Sequence, residues 1–204
     1  MAISKIQICN LALSRLGNRD SVNNIDAPKT PFERAFAVWY DVCRQFMLKK
    51  LMPNFALTRD VVAAIDETPA FGYAYVYQYP KDCLKVLGVG NVQDKENNYS
   101  VEGNKIYTDE VYEDGMELRY VKDETDVTKF SSEFIMALSA ELAEKVSLQI
   151  TQDGDKLTAM NVLKKSDQSE ASALNGQENR PIRINRSKFR QARMVDNPEN
   201  FNKK

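Results

Sequence analysis

Apolar residues recur at helical spacing in the first and last parts of the chain, and they alternate with polar residues in the middle. The helical spacing predicts four helices, over residues 4–16, 31–50, 131–151 and 156–174. The first two helices begin at predicted capping boxes, in which a Ser or Thr is followed three residues later by Gln or Glu. The short polar break before the fourth helix predicts that the last two helices form an antiparallel hairpin.

Each of the last three predicted helices has an apolar side that we expect to face a core. On the second helix this side comprises Phe32, Phe36, Trp39, Cys43, Phe46 and Met47. On the third helix it comprises Phe134, Leu138, Leu142, Val146 and Ile150. The fourth helix has a weaker stripe formed by Leu157, Met160, Leu163 and Leu174. These sides predict a helical bundle.

The middle of the chain, residues 55–121, has the two-residue period of strands. It predicts a hairpin over residues 99–107 that turns near Gly103, and a further strand over residues 117–121. Aromatic residues occupy every second position from Phe71 to Tyr79, so on one strand these five rings would share a face. Such a face serves core packing, a protein interface or base stacking. The absence of Lys and Arg from residues 72–79 argues against stacking on nucleic acid.

The patterns together predict an α+β fold, a bundle of about four helices with a small central antiparallel β-sheet and an extended C-terminal arm. We expect one domain over residues 1–179 and the arm over residues 180–204. The arm contains eight basic and two acidic residues, whereas the remaining 179 residues contain 20 basic and 27 acidic ones. An acidic body with a basic arm predicts an acidic partner, either protein or nucleic acid.

The arm also alternates basic and apolar residues, and it lacks the apolar content to fold alone. Three interpretations remain open: contact with nucleic acid, docking or strand addition on an acidic protein, and a solvated tail without a partner. The residues that we expect to make the contact are Arg180, Arg183, Ile184, Arg186, Lys188, Phe189, Arg190 and Arg193.

Little in the sequence points to catalysis. Histidine is absent, which removes the commonest acid-base group and metal ligand. The three cysteines, Cys9, Cys43 and Cys83, are far apart, and we expect them to be buried in a reducing compartment. Carboxylates cluster at residues 94–96, 109–114 and 123–126, where we expect solvated turns. We therefore predict no catalytic residue, cofactor or metal, and no stretch that crosses a membrane.

Several short blocks occur in an order that resembles one protein family. They are residues 9–17 (CNLALSRLG), 40–44 (YDVCR), 53–59 (PNFALTR), 71–75 (FGYAY), 79–84 (YPKDCL), 101–106 (VEGNKI), 119–121 (RYV) and 125–143. In this order they resemble the tail tubular protein A family, the head-to-tail adaptors, or connectors, of short-tailed bacteriophages. The resemblance covers roughly residues 5–175. It departs from the family at Asn54, where a Trp is expected.

The resemblance implies a structural virion protein without enzymatic activity. Such a protein is synthesised in the cytoplasm of a bacterial host and forms a twelvefold homo-oligomeric ring at the head–tail junction. Its partners are the portal protein and the downstream tubular, or nozzle, protein of the tail, close to the packaged DNA and without a membrane or a small-molecule substrate. The arm is then expected to dock on the portal or on a neighbouring subunit. The alternative is a nucleic-acid-binding structural or regulatory protein that acts through the arm.

Overall fold

The computed structural model describes residues 3–90, 99–150 and 154–178. Within these residues the chain forms an α+β fold with four α-helices and two three-stranded antiparallel sheets. The helices are α1 (Lys5–Arg15), α2 (Pro31–Leu51), α3 (Ser132–Ile150) and α4 (Gly154–Glu178). The strands are β1 (Leu57–Val62), β2 (Tyr75–Gln78), β3 (Cys83–Val89), β4 (Tyr99–Glu102), β5 (Lys105–Thr108) and β6 (Met116–Lys122). The predicted fold class is confirmed.

Both predicted capping boxes are present. The Ser4 hydroxyl accepts a hydrogen bond from the backbone N–H of Gln7 at 3.2 Å, and the Gln7 side chain accepts one from Ser4 N–H at 2.8 Å. Thr30 and Glu33 make the same pair of bonds at the start of α2. These bonds satisfy backbone donors that have no partner inside the helix, so local sequence is sufficient to fix both starts.

The observed helix bounds agree with the prediction within one residue, except in α4. This helix begins at Gly154, which we expected in the preceding break, and it continues to Glu178, four residues beyond the predicted end. Polar contacts support the extension, because the Asn175 amide donates to the carbonyl oxygens of Leu51 and Met52 at 3.3 and 3.2 Å. These contacts depend on tertiary structure, and the apolar period of α4 does not reveal them.

The larger core lies among the helices, with α3 packed against the other three. Phe36, Cys43 and Met47 of α2 are buried as predicted, but Phe46 is 48% exposed and Tyr40 is buried instead. Successive helical residues are 100° apart, so a side centred on residues 36, 40, 43 and 47 turns residue 46 outward. The predicted stripe of α4 is also incorrect at Leu163, which is exposed, whereas Gln168 and Ala171 are buried.

The β region divides into two sheets, where we expected one. The first sheet has the strand order β1-β6-β3 and the second has the order β2-β5-β4, with all pairs antiparallel. A second core lies between them, formed by Val62, Tyr77, Cys83, Val89, Ile106, Met116, Leu118 and Tyr120. On the opposite face of the first sheet, Val121 joins the helical core. The first sheet is therefore a layer shared by the two cores.

The predicted hairpin is confirmed, with β4 and β5 joined through a turn in which Gly103 has a φ of +60°. The predicted five-ring aromatic face is wrong, because β2 covers only residues 75–78 of this segment. Phe71 is 89% exposed, whereas Tyr77 is buried in the second core. Gly72, with a φ of +89°, lies in the irregular backbone before β2 and interrupts the alternation. For Tyr77, the expected role in core packing is confirmed.

Candidate interaction surfaces

The residues predicted to contact a partner, from Arg180 to Arg193, lie outside the described residues, and so does the whole arm. The last described residue, Glu178, ends α4 near the junction of α2 and β1. Asn175 fixes this position, since its side chain accepts a hydrogen bond from Asn54 N–H at 3.0 Å and also bonds the end of α2. Residues 179–204 therefore continue from the boundary between the helical and β regions.

A cavity of about 180 Å³ lies beside this end of α4. Its apolar wall includes Leu51, Phe55, Phe134 and Leu174, and Lys129 and Glu133 also line it. Phe55 packs against Phe134 with ring centroids 5.2 Å apart in an edge-to-face arrangement. The volume is below the usual range for small-molecule sites, so this cavity suits a single side chain better than a substrate.

Asp126 is exposed at a turn, as expected for the carboxylates of residues 123–126, but Asp123 and Glu124 are not solvated in the expected way. Arg44, with a side chain only 3% exposed, forms an ion pair with Asp123 and donates to the carbonyl oxygen of Glu124 at 2.7 Å. Gln45 donates to the second oxygen of Asp123 at 2.8 Å. These groups join α2 to the segment that leaves β6. Asp123 is committed to this structural contact, which makes it a poor candidate for an acid-base group.

Glu124 is buried and pairs with Lys129 at 2.7 Å. Burial favours the neutral acid, but the hydrogen bond and charge of Lys129 outweigh it and lower the pKa of Glu124. Among the described residues, no group of three or more cysteine, aspartate and glutamate side chains is arranged to hold a metal ion. The second predicted cluster lies in the link between β5 and β6, and Asp94 and Glu96 lie outside the described residues.

Glu33 is a second buried carboxylate, and the sequence indicated it only as a member of the capping box of α2. Glu33 accepts hydrogen bonds from four backbone N–H groups, those of Asn23, Asn24, Lys29 and Thr30, at 2.7 to 3.2 Å. These bonds, chiefly from Thr30, Lys29 and Asn23, lower the pKa of Glu33 to about 2. Glu33 thereby holds the link between α1 and α2 against the start of α2.

Ion pairs and hydrogen bonds attach α4 to the other helices. Lys164 lies 3.6 Å from the buried Glu141 of α3 and 2.8 Å from Glu144. Gln168 donates to Glu141 at 2.9 Å, and Arg15 of α1 pairs with Asp167 at 2.7 Å. In the sequence, these contacts of α4 were indicated only by its weak apolar stripe, which has charged residues between its members.

The three cysteines are buried, as predicted. Burial raises the pKa of Cys9 and of Cys43 to about 12 and also raises that of Cys83. A thiol with a raised pKa is a poor nucleophile at neutral pH, because the thiolate is the reactive form. The cysteines therefore act as small core residues.

The outward side of α2 has exposed apolar residues at four-residue spacing. Val38, Val42 and Phe46 are 67%, 56% and 48% exposed. Their spacing places them in one row along the helix. The sequence pattern assigned Phe46 to the core, so this row was found only from the structure.

Comparison with protein-family models and with curated protein sequences gives no match. Within the described part of the chain, no helix combines the length and apolar content needed to span a bilayer.

Proposed function

We propose that this protein is a structural virion component, the head-to-tail adaptor that forms a ring between the portal and the tail of a short-tailed bacteriophage. The observation that carries the proposal is the ordered series of sequence blocks over residues 5–175. In this proposal the chain has no catalytic role and binds no cofactor. Its partners are the portal protein, the downstream tubular protein and further copies of itself, twelve in all.

The contacts between blocks support the proposal, because distant blocks meet at buried positions. Phe55, from the third block, packs on Phe130 and Phe134 from the last block, with ring centroids 5.4 and 5.2 Å apart. Arg44, from the second block, pairs with Asp123, which lies between the last two blocks. Residues that resemble the family therefore include those that hold the helical and β regions together.

A closed ring needs two different faces on each subunit that complement each other. The helical region offers the exposed row of Val38, Val42 and Phe46. The β region offers exposed charged residues such as Arg59, Glu102 and Glu117. The arm has 25 residues, and a chain of this length, when fully extended, spans up to roughly 85 Å, which is enough to reach a neighbouring subunit. We propose that it docks on the portal or on the neighbouring subunit.

The test is assembly on a purified portal ring from the same phage, followed by native mass measurement. The full chain is expected to add twelve copies to each portal. A variant that ends at residue 179 is expected to bind more weakly, and a variant that retains the arm but carries Lys81→Gln is the control. Failure of the full chain to bind the portal would overturn the proposal. Full binding by the shortened chain would show that the arm is not part of the interface, and the rest of the proposal would stand.

The second candidate function is nucleic-acid binding through the arm, which its eight basic residues favour. This function requires that the full chain shift the mobility of a DNA duplex, that the shift weaken steeply with salt, and that it disappear in the variant ending at residue 179. A full chain that binds the portal but leaves DNA mobility unchanged would eliminate this candidate.

A further inference from the structure

The first sheet places two arginines directly opposite each other. Arg59 of β1 is the register partner of Arg119 of β6. In an antiparallel pair, opposite residues project from the same face with Cβ atoms about 4.5–5.5 Å apart, and like charges at such positions are destabilising. The arrangement therefore opposes the stability of the isolated sheet.

Neither arginine is neutralised within the part of the chain that the structure describes. No carboxylate there lies within 4.0 Å of either guanidinium, although Arg15 and Arg44 both have such partners. Glu117 is on the same face, two residues from Arg119, and forms no ion pair with either arginine. The nearby Asp60 accepts a hydrogen bond from Val61 N–H at 2.8 Å. As far as the described residues go, both guanidiniums therefore retain donors that can bind a further anion.

The pair lies on an accessible surface. The alternate residues Leu118 and Tyr120 are buried in the second core, so Arg119 and its partner project from the outer face of the first sheet. At one end of this face, Leu57 and Val121 pack on the helical core. At the other end Val61 is 57% exposed, and a shallow cavity of about 240 Å³ is lined by both arginines, by Asp60 and Glu117, and by Gly90.

The outer face of the second sheet exposes a carboxylate, Glu102. Ile106 and Tyr77 project into the second core, so Glu102 and its register partner Lys105 project outward. Lys105 is paired with Glu67 on this face, which leaves Glu102 as an exposed carboxylate. Glu102 accepts one hydrogen bond, from Ser100 at 2.8 Å, and retains the capacity to accept more.

As the anion that binds the arginine pair, a carboxylate of a protein fits better than a long polyanion such as DNA. The described part of the β region, residues 57–90 and 99–121, contains five basic and ten acidic side chains. A DNA backbone would therefore meet net repulsion from the β region as a whole. One carboxylate between two guanidiniums makes short charge-assisted hydrogen bonds and does not need a broad positive surface.

We propose that Arg59 and Arg119 of one copy bind Glu102 of the next copy around the ring. The two outer faces of the β region then form a heterologous contact, which is the kind that a cyclic assembly requires. Binding also relieves the repulsion between the arginines, so the pair that destabilises the free subunit stabilises the ring. This inference rests on the proposed ring and specifies one of its contacts.

The experiment measures how many copies stay on the purified portal as salt is raised, with four variants of the full chain. Arg59→Glu with Arg119→Glu, and separately Glu102→Lys, are expected to weaken association between copies about tenfold or more. The chain that combines all three substitutions restores opposite charges and is expected to recover most of the association. Lys81→Glu with Glu113→Lys, which changes the same kinds of charge elsewhere in the β region, is expected to have no effect.

A second measurement separates this role from a purely structural one. Arg59→Gln with Arg119→Gln removes the repulsion and is expected to leave the urea midpoint of the free subunit unchanged or raise it. If the chain with Arg59→Glu and Arg119→Glu still forms rings with the wild-type number of copies on the portal, the inference is overturned while the adaptor proposal stands. Loss without recovery in the three-substitution chain would also overturn it. A wild-type chain that does not bind the portal at all would instead overturn the adaptor proposal.

Discussion

The helical region and the β region are stabilised in different ways. The helical core is large, and continuous apolar sides of α1, α2 and α3 fill it. The second core is small, and its members include Tyr77 and Tyr120, whose hydroxyls both make hydrogen bonds. A small core gains less from burial and depends more on hydrogen bonds and on its neighbours. The difference indicates that the β region relies on the helical region for its position.

The two regions meet at a polar contact as well as through the shared first sheet. Arg44, near the middle of α2, binds Asp123 and the backbone of Glu124 just after β6. A buried guanidinium that loses its partners is costly, and so is a carboxylate that loses its cation. This contact is therefore the point at which the two regions are most easily uncoupled.

The largest predicted effect follows from Arg44→Ala. We expect the free energy of unfolding to fall by about 3–5 kcal/mol, since the substitution leaves the carbonyl oxygen of Glu124 without its donor and Asp123 without the guanidinium, with Gln45 as its remaining donor. Urea unfolding followed by the fluorescence of Trp39, the single tryptophan, measures the loss. Lys49→Ala, at an exposed position on the same helix, is the control and is expected to cost less than about 1 kcal/mol. Equal effects of the two substitutions would show that the buried contact does not join the regions.

A smaller, pH-dependent effect is expected at Glu33, within the helical region. Hydrogen bonds lower its folded-state pKa from 4.5 to about 2, so its contribution to stability is complete above about pH 4.5 and is lost as the pH falls towards 2. Glu33→Gln should therefore lower the urea midpoint near neutral pH and flatten its decline in acid. The exposed Glu170→Gln is the comparison and should retain the decline of the wild type. Parallel curves for wild type and Glu33→Gln would contradict the assignment.

The smallest expected change in stability comes from removing a single tyrosine hydroxyl, and we compare one such hydroxyl from each region. Tyr77 accepts a hydrogen bond from the backbone N–H of Tyr112 at 2.9 Å, whereas the buried hydroxyl of Tyr40 has no hydrogen-bond partner among the residues that the structure describes. Tyr77→Phe is expected to cost about 1–2 kcal/mol, because it leaves a backbone donor unpaired. Tyr40→Phe is expected to cost nothing or to stabilise the protein slightly. Urea unfolding of both variants measures the change in the free energy of unfolding. A larger loss from Tyr40→Phe than from Tyr77→Phe would contradict the prediction.

The helices were predictable because their signals are local. Ser4, Gln7, Thr30 and Glu33 are close in sequence, and the bonds that start α1 and α2 form between them. The hairpin at Gly103 was predictable for the same reason, since a turn needs only a few neighbouring residues. The extent of α4 was not, because its last turns depend on contacts between Asn175 and the end of α2.

The charged contacts were largely invisible to sequence analysis. Arg59 and Arg119 are sixty residues apart, and only the register of β1 against β6 makes them opposite. Asp123 and Glu124 resembled a solvated turn because their neighbours in sequence are polar, whereas Arg44 reaches them from α2. For the predicted arm residues, from Arg180 to Arg193, the charge pattern of the sequence remains the basis of the prediction.

The sequence by itself determined the α+β class, the starts of α1 and α2, the hairpin and the opposite charges of body and arm. These properties depend on residues within a few positions of each other or on composition alone. Tertiary structure decided the division into two sheets, the outward turn of Phe46, the burial of Glu124 and the pairing of Asp123 with Arg44. It also decided the arginine pair, because strand register and helix orientation bring together side chains whose separation in sequence carries no signal of contact.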